Sequence, residues 1–180
     1  MRSQAILLTA TAFSAGATLL GTARAGQPIA ISGRDTCKIT EAHALPVDGD
    51  QDHVLIVQKG TCTRSASGQS SRFDGSQANW VETDDLVKGS GTLQGYLVET
   101  LKDGSTEQCR YTGLMTTVTM NGKQNTTTNG TWEMIRGTGP SLANVQMRGT
   151  FRFTPTSDTG GVSDWQGTLT DEAPTPAPHA

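Results

Sequence analysis

The sequence predicts an all-β protein whose strands follow one another as an up-and-down antiparallel sheet closed into a small barrel. Three observations carry this. Between Gly89 and Phe153, strand-like runs are joined by Asp103-Gly104 and Asn121-Gly122, dipeptides that favour tight hairpin turns. No helical stretch interrupts those runs. Glycines also recur inside the runs at near-regular intervals, and glycine within a strand marks bends and close backbone contact, as a tightly curved barrel needs.

The chain has 180 residues and opens on a segment that reads as a secretory leader. Arg2 supplies a positive start, Ala5 to Leu20 is apolar and uncharged, and Ala23-Arg24-Ala25 is a small-x-small cleavage signal before Gly26. The apolar run is short and rich in small residues, which disfavours a membrane anchor. No cysteine follows the cleavage point to carry a lipid, and no twin arginine is present. Residues 26–170 then form one domain, suited to a single core, and 171–180 (D-E-A-P-T-P-A-P-H-A) is a proline-rich tail expected to be disordered. Removal of Arg2 and Arg24 leaves 12 basic against 17 acidic residues, a net charge of −5. That balance, without a basic cluster, argues against nucleic acid and anionic lipid as partners. No later segment is long and apolar enough to span a membrane as a helix. The expected location is therefore exported, periplasmic or secreted.

Gly26 to Asp35 reads as an extended lead-in. Thr36 to Val47 and His53 to Thr63 form the first hairpin across Asp48-Gly49-Asp50, and the β-branched run His53 to Val57 is its central strand. Of three cysteines in an exported chain, two are expected to pair. Residues 37 and 62 centre on 49.5, within that turn, which sets Cys37 and Cys62 opposite each other at bridging distance and leaves Cys109 a buried free thiol. Arg64 to Ser71 is small and polar, a loop. Gln77 to Leu86 is a strand around Trp80-Val81.

Gly91 to Leu101 pairs with Thr106 to Leu114. A two-residue turn at Asp103-Gly104 gives facing residues an index sum of 207, which sets Tyr96 opposite Tyr111 and Val98 opposite Cys109. One face would then carry Tyr96, Val98, Cys109 and Tyr111, and the other Leu97, Glu99, Leu101 and Arg110. Leu114 to Met120 pairs with Lys123 to Glu133 across Asn121-Gly122. Gly137 to Pro140 is a turn, and Val145 to Phe153 and Trp165 to Leu169 supply the last strands around a polar loop at Thr156 to Ser163.

The segment Gly130-Thr131-Trp132 through Gly137-Thr138-Gly139, followed by Leu142 to Val145 and Gly149-Thr150-Phe151, resembles the G-T-W-x-x-x-x-G-T-G … G-x-G-x-F stretch of the allene oxide cyclase-like barrels, a group that includes the plant dirigent proteins. Gly95-Tyr96, Asp103-Gly104, Arg110-Tyr111 and Gly113 fit the preceding strands of bacterial exported members. The likeness covers residues 89–153 and rests on glycine and turn positions, which report fold more than chemistry. Of the late glycine pair only Gly149 is present, with Arg148 before it. The resemblance implies a closed antiparallel barrel of about eight strands with an apolar interior, and, from the plant relatives, a homotrimer. Plant members isomerise a fatty-acid epoxide or steer the coupling of phenolic radicals, but no active-site residues of theirs match positions here.

Chemical candidates are few. Asp48, Asp50 and Asp52 alternate as acids do at the start of a calcium loop, but Lys59 stands where the closing glutamate is needed. His43 and His53 flank the same turn, out of register for a shared metal. No Cys-His arrangement surrounds Cys109, there is no Gly-x-Ser-x-Gly elbow, and no phosphate-binding glycine loop leads into a helix. Asn125 and Asn129 match glycosylation sequons as chance occurrences in a threonine-rich strand. Glu99 and Arg110 on one hairpin face form either a buried pair beside a cavity or an exterior cross-strand pair. Tyr96, Tyr111 and Trp132, with Trp80 and Trp165, are candidate walls of an apolar pocket. The expected role is binding of a small apolar or amphipathic molecule without catalysis, through Tyr96, Tyr111, Glu99, Arg110 and Trp132, with no metal or cofactor. The alternatives are an isomerase or stereo-directing enzyme, with Glu99 pointing inward, and an envelope protein whose barrel is filled.

Overall fold

The computed structural model describes residues 26–47 and 49–171. The expected leader, Asp48 of the first hairpin turn and the expected tail from 172 onward lie outside them. Eight strands run in order: β1 (Ile29–Val47), β2 (Asp50–Ala66), β3 (Gln77–Val87), β4 (Ser90–Thr100), β5 (Thr106–Met120), β6 (Lys123–Thr138), β7 (Val145–Ser157) and β8 (Gly160–Asp171). Each pairs antiparallel with the next, and β8 returns to β1, so the sheet closes with no free edge. The up-and-down barrel expected from the sequence is thus the fold. No helix among the described residues is long and apolar enough to cross a membrane.

Alternation along each strand sorts the side chains. On β4, Leu93, Gly95 and Glu99 are buried while Thr92, Gln94, Tyr96 and Val98 face out. The two ends of the barrel differ. At one, the strands turn through tight hairpins: Lys88-Gly89 and Asn121-Gly122 both have two successive positive φ values, the geometry that matches the twist of the flanking strands. At the other, the chain makes longer connections that fold over the opening. A 3-10 turn at Gly68–Phe73 places Phe73, fully buried, against Trp165 in an edge-to-face contact, and Leu101 and Leu142 pack into the same cluster. That end is a filled core.

Several sequence expectations change. The lead-in is structured from Ile29, because its backbone completes the barrel against β8. Arg64 belongs to β2, and the polar stretch after it is ordered as the plug turn, with Ser70 Oγ accepting from the Ser32 amide at 2.8 Å. Asp171, assigned to the tail, ends β8 opposite Val145. The strand through Trp80 extends to Val87, and its Lys88-Gly89 turn carries the signal that Asn-Gly carries elsewhere.

The Cys37–Cys62 disulfide forms, between directly opposed residues of β1 and β2, as the hairpin arithmetic requires. Cross-linking a loop of this length stabilises by roughly 3 kcal/mol in the chain-entropy account. Cys109 is free and buried.

Five inward aromatics each stand opposite a glycine on an adjacent strand: Trp80 and Gly60, Tyr111 and Gly95, Trp132 and Gly149, Phe151 and Gly130, Trp165 and Gly33. At Gly33, Gly60, Gly95 and Gly130 the ring occupies the space a β-carbon would take, and the Trp132 ring does so at Gly167 on β8. At Gly130 an added Cβ would lie 2.4 Å from the Phe151 ring and 2.2 Å from the Thr112 carbonyl oxygen. Gly130→Ala is therefore expected to lower the unfolding free energy in urea by about 1–3 kcal/mol, against less than about 0.5 kcal/mol for the outward Thr131→Ala. Equal effects of the two would contradict the packing described.

Candidate functional site

Above the plug, the lumen holds a cavity of about 430 Å³. Its wall is mixed. Ile56, Leu86, Leu93, Leu97, Met115 and Phe153 supply apolar surface, and Asp35, Gln58, Arg64, Glu82, Asp84 and Glu107 supply polar groups. The lining runs up to Ser157 and Asp158, beside the β7–β8 hairpin, so the cavity faces the hairpin end. Two polar clusters divide it.

The lower cluster is built on Arg64. Its guanidinium forms a bidentate pair with Asp35, Nε to Oδ1 at 2.8 Å and Nη2 to Oδ2 at 3.0 Å. Nη1 lies 2.5 Å from Glu99 Oε2 and 3.6 Å from Glu107 Oε1. Its Cζ lies over the Trp165 ring, 4.3 Å from the centroid, and Trp165 Nε1 donates to Asp35 Oδ1 at 3.0 Å. Burial works against the Arg64 charge, but Glu99 and Asp35 outweigh it and hold its pKa above the ordinary value. Glu99 is fully buried, and the Ser76 hydroxyl donates to its Oε1 in a short bond. Burial pushes Glu99 upward against the pull of Arg64, and Glu107, directly opposite across the β4–β5 pair, adds to the rise. One cation among three carboxyls leaves excess acid, which a proton retained on Glu99 relieves.

The upper cluster lies on β3. Glu82 and Asp84 are two residues apart, so both point inward. Gln58 of β2 bridges them, Nε2 donating to Glu82 Oε1 at 2.7 Å and Asp84 Oδ2 at 2.9 Å. The Tyr111 hydroxyl donates to Glu82 Oε2 at 2.9 Å. Burial raises the Glu82 pKa. Burial and the Glu82 charge together push Asp84 up to about 7. Tyr111 is raised by burial and by Glu82, and Cys109 by burial and Glu107, so neither is available as an anion.

Of the residues expected at the site, Tyr111 and Trp132 line the cavity. Glu99 points inward but is sealed beneath it. Tyr96 and Arg110 lie outside, Tyr96 59% exposed and Arg110 paired with Glu133 across the β5–β6 ladder. The β4–β5 connection explains the correction. Leu101 N donates to Ser105 O, and Gly104 N donates to Leu101 O with Gly104 at φ 82°. This is a three-residue loop with a glycine bulge, not a two-residue turn, so the index sum falls by one to 206, with Tyr96 opposite Arg110 and Leu97 opposite Cys109. One residue of slip exchanges the faces of Tyr96 and Leu97, and joins Glu99 to Glu107 instead of Arg110. Sequence reasoning misses Arg64, Asp35, Glu82 and Asp84. Glu82 and Asp84 carried the inward period of a strand through Trp80, which was the available signal; Arg64 was hidden by its polar, small-residue neighbours.

His43 and His53 contact Glu41 and Asp85 respectively, apart from each other. Among the described residues no group of three or more His, Cys, Asp or Glu side chains is placed to hold a metal ion.

Fold and cavity together define a closed eight-stranded antiparallel barrel with a mainly apolar lumen that carries two clusters of acids. No protein-family model matches the chain, and no curated protein sequence matches it significantly.

Two outcomes follow from these clusters. Arg64→Met strands Asp35, Glu99 and Glu107 without their cation and is expected to cost about 3–5 kcal/mol in denaturant unfolding at neutral pH. A loss below about 1 kcal/mol would contradict the pairing described. Asp84 acts in the opposite sense to an ion-paired acid. The folded chain keeps its proton up to about pH 7, whereas the unfolded chain releases it near 3.8, so the folded state binds more protons in that window. This contribution is greatest below the unfolded value and is lost as pH rises through 7. In Asp84→Asn, denaturant unfolding measured between about pH 5 and pH 8 should show a flatter decline in stability than wild type.

Proposed function

We propose that this chain is an exported binding protein that holds one small amphipathic molecule in its barrel and does no chemistry on it. The observation that carries this reading is the cavity: about 430 Å³, within the range of small-molecule sites, sealed at the plug end by Phe73, Leu101 and Leu142 and walled mainly by apolar side chains. An unfilled lumen of this size weighs against a barrel that is merely packed. The candidate nucleophiles are held inert, Cys109 as a buried thiol and Tyr111 as a hydroxyl bonded to Glu82. The disulfide fits an oxidising compartment outside the cytosol.

One observation favours the isomerase alternative. Asp84, with a pKa of about 7, is suited to proton transfer near neutrality. Glu99, the acid expected for that role, is absent from the cavity wall and held by Arg64 and Ser76.

Native mass spectrometry of protein purified from the periplasm without denaturant tests the reading and reports subunit number as well. An extra mass released on denaturation is the expected result. A clean apo mass, unchanged on adding a panel of lipids and phenolics, would overturn it.

A further inference from the structure

The acids of the upper cluster outnumber the cations available to them. Among the described residues lining the cavity, Arg64 is the one basic side chain, against Asp35, Glu82, Asp84, Glu107 and Asp158. Arg64 is already committed to Asp35 on two nitrogens and to Glu99 on the third. A ligand carboxylate therefore meets no free cation in the cavity, and it meets Glu82 and Asp84 instead.

Polar atoms on this wall also lack partners. Asp84 is 1% exposed, and its Oδ1 accepts no hydrogen bond, although Oδ2 is held by Gln58. The Thr128 hydroxyl is equally buried and equally unpartnered. A buried carboxylate oxygen without a donor is costly, and such atoms mark places where a partner belongs. Glu82 accepts one bond on each oxygen, from Gln58 and Tyr111, and each oxygen has capacity for a second. Beside and above these acids the wall turns apolar, through Leu93, opposite Asp84, and Leu86 and Met115.

We infer that the cavity selects an amphipathic organic cation, a primary or secondary amine whose ammonium head sits between Glu82 and Asp84 and whose apolar body lies along Leu86, Leu93 and Met115. This deepens the binding reading and rests on it. A primary ammonium brings three N–H donors, which match Asp84 Oδ1 and the spare lone pairs of Glu82. It also supplies the charge that favours Glu82 and Asp84 both ionised side by side away from bulk water, where Coulombic attraction is little screened. Gln58 keeps the two acids side by side before any ligand arrives.

The test compares three probes of equal chain length, n-octylammonium, 1-octanol and octanoate, by calorimetry and by the intrinsic fluorescence of Trp80, Trp132 and Trp165 on the intact protein. The expected result is octylammonium binding at least about tenfold more tightly than either of the others, with the preference lost in Asp84→Asn and in Glu82→Gln. The three-probe comparison in wild-type protein stands even where a variant fails to fold. Octanol or octanoate binding as tightly as octylammonium would overturn the cation assignment while leaving a ligand-binding barrel. No heat and no fluorescence change with any probe would overturn both readings. A full amine preference retained in folded Asp84→Asn and Glu82→Gln proteins would remove the acids from the site.

Discussion

A barrel this small keeps an open lumen only if its large side chains do not cross it, and the pairing of ring with glycine meets that constraint. Trp80, Tyr111, Trp132, Phe151 and Trp165 all face inward, each opposite a glycine. A ring that lies flat on a neighbouring backbone takes little of the lumen's width. The glycines therefore serve curvature and cavity together: the strands bend where they carry no side chain, and the rings gain contact area without filling the centre. Edge-to-face contacts between Trp132 and Trp165 and between Tyr111 and Phe151 tie these rings to one another around the wall.

The lower half of the lumen is closed differently, by charge. Arg64, Asp35, Glu99 and Glu107 would be an unfavourable group to bury if any member lacked its partner. Here the guanidinium is held on all sides: two carboxylates in its plane, Glu107 farther off, and the Trp165 face beneath. The cluster ties β2 to β1, β4 and β5, and the plug turn brings Phe73 against Trp165 on the same side. A hydrophobic filling would serve stability as well. What the charged group adds is a rigid polar floor beneath an apolar wall.

The upper acids have the reverse character. Gln58 and Tyr111 satisfy Glu82, but Asp84 keeps one oxygen unpaired and holds its proton near neutrality. A buried oxygen without a donor costs stability. Arg64 is ion-paired to acids on three other strands, whereas among the described residues no cation is paired with Glu82 or Asp84, and that contrast separates the floor of the interior from the wall above it.

Fold class, strand order and the disulfide were legible in the sequence because each depends on local chemistry. Asn121-Gly122 defines its turn by backbone preference, and Cys37 and Cys62 are placed opposite by symmetry about Gly49. The site was less legible. Whether Tyr96 or Leu97 faces the lumen depends on one residue of loop length at Leu101–Ser105, where Asp103-Gly104 accommodates either a two-residue turn or a three-residue loop with a bulge. Arg64 meets Glu99 across 35 positions of chain, and the two come together only because the barrel closes. By itself, then, the sequence determined which segments become strands and which neighbours pair, since those are short-range steric and hydrogen-bonding choices. The tertiary structure alone decided which carboxyls share a lumen and which find a cation, because burial and charge pairing are properties of the closed sheet as a whole.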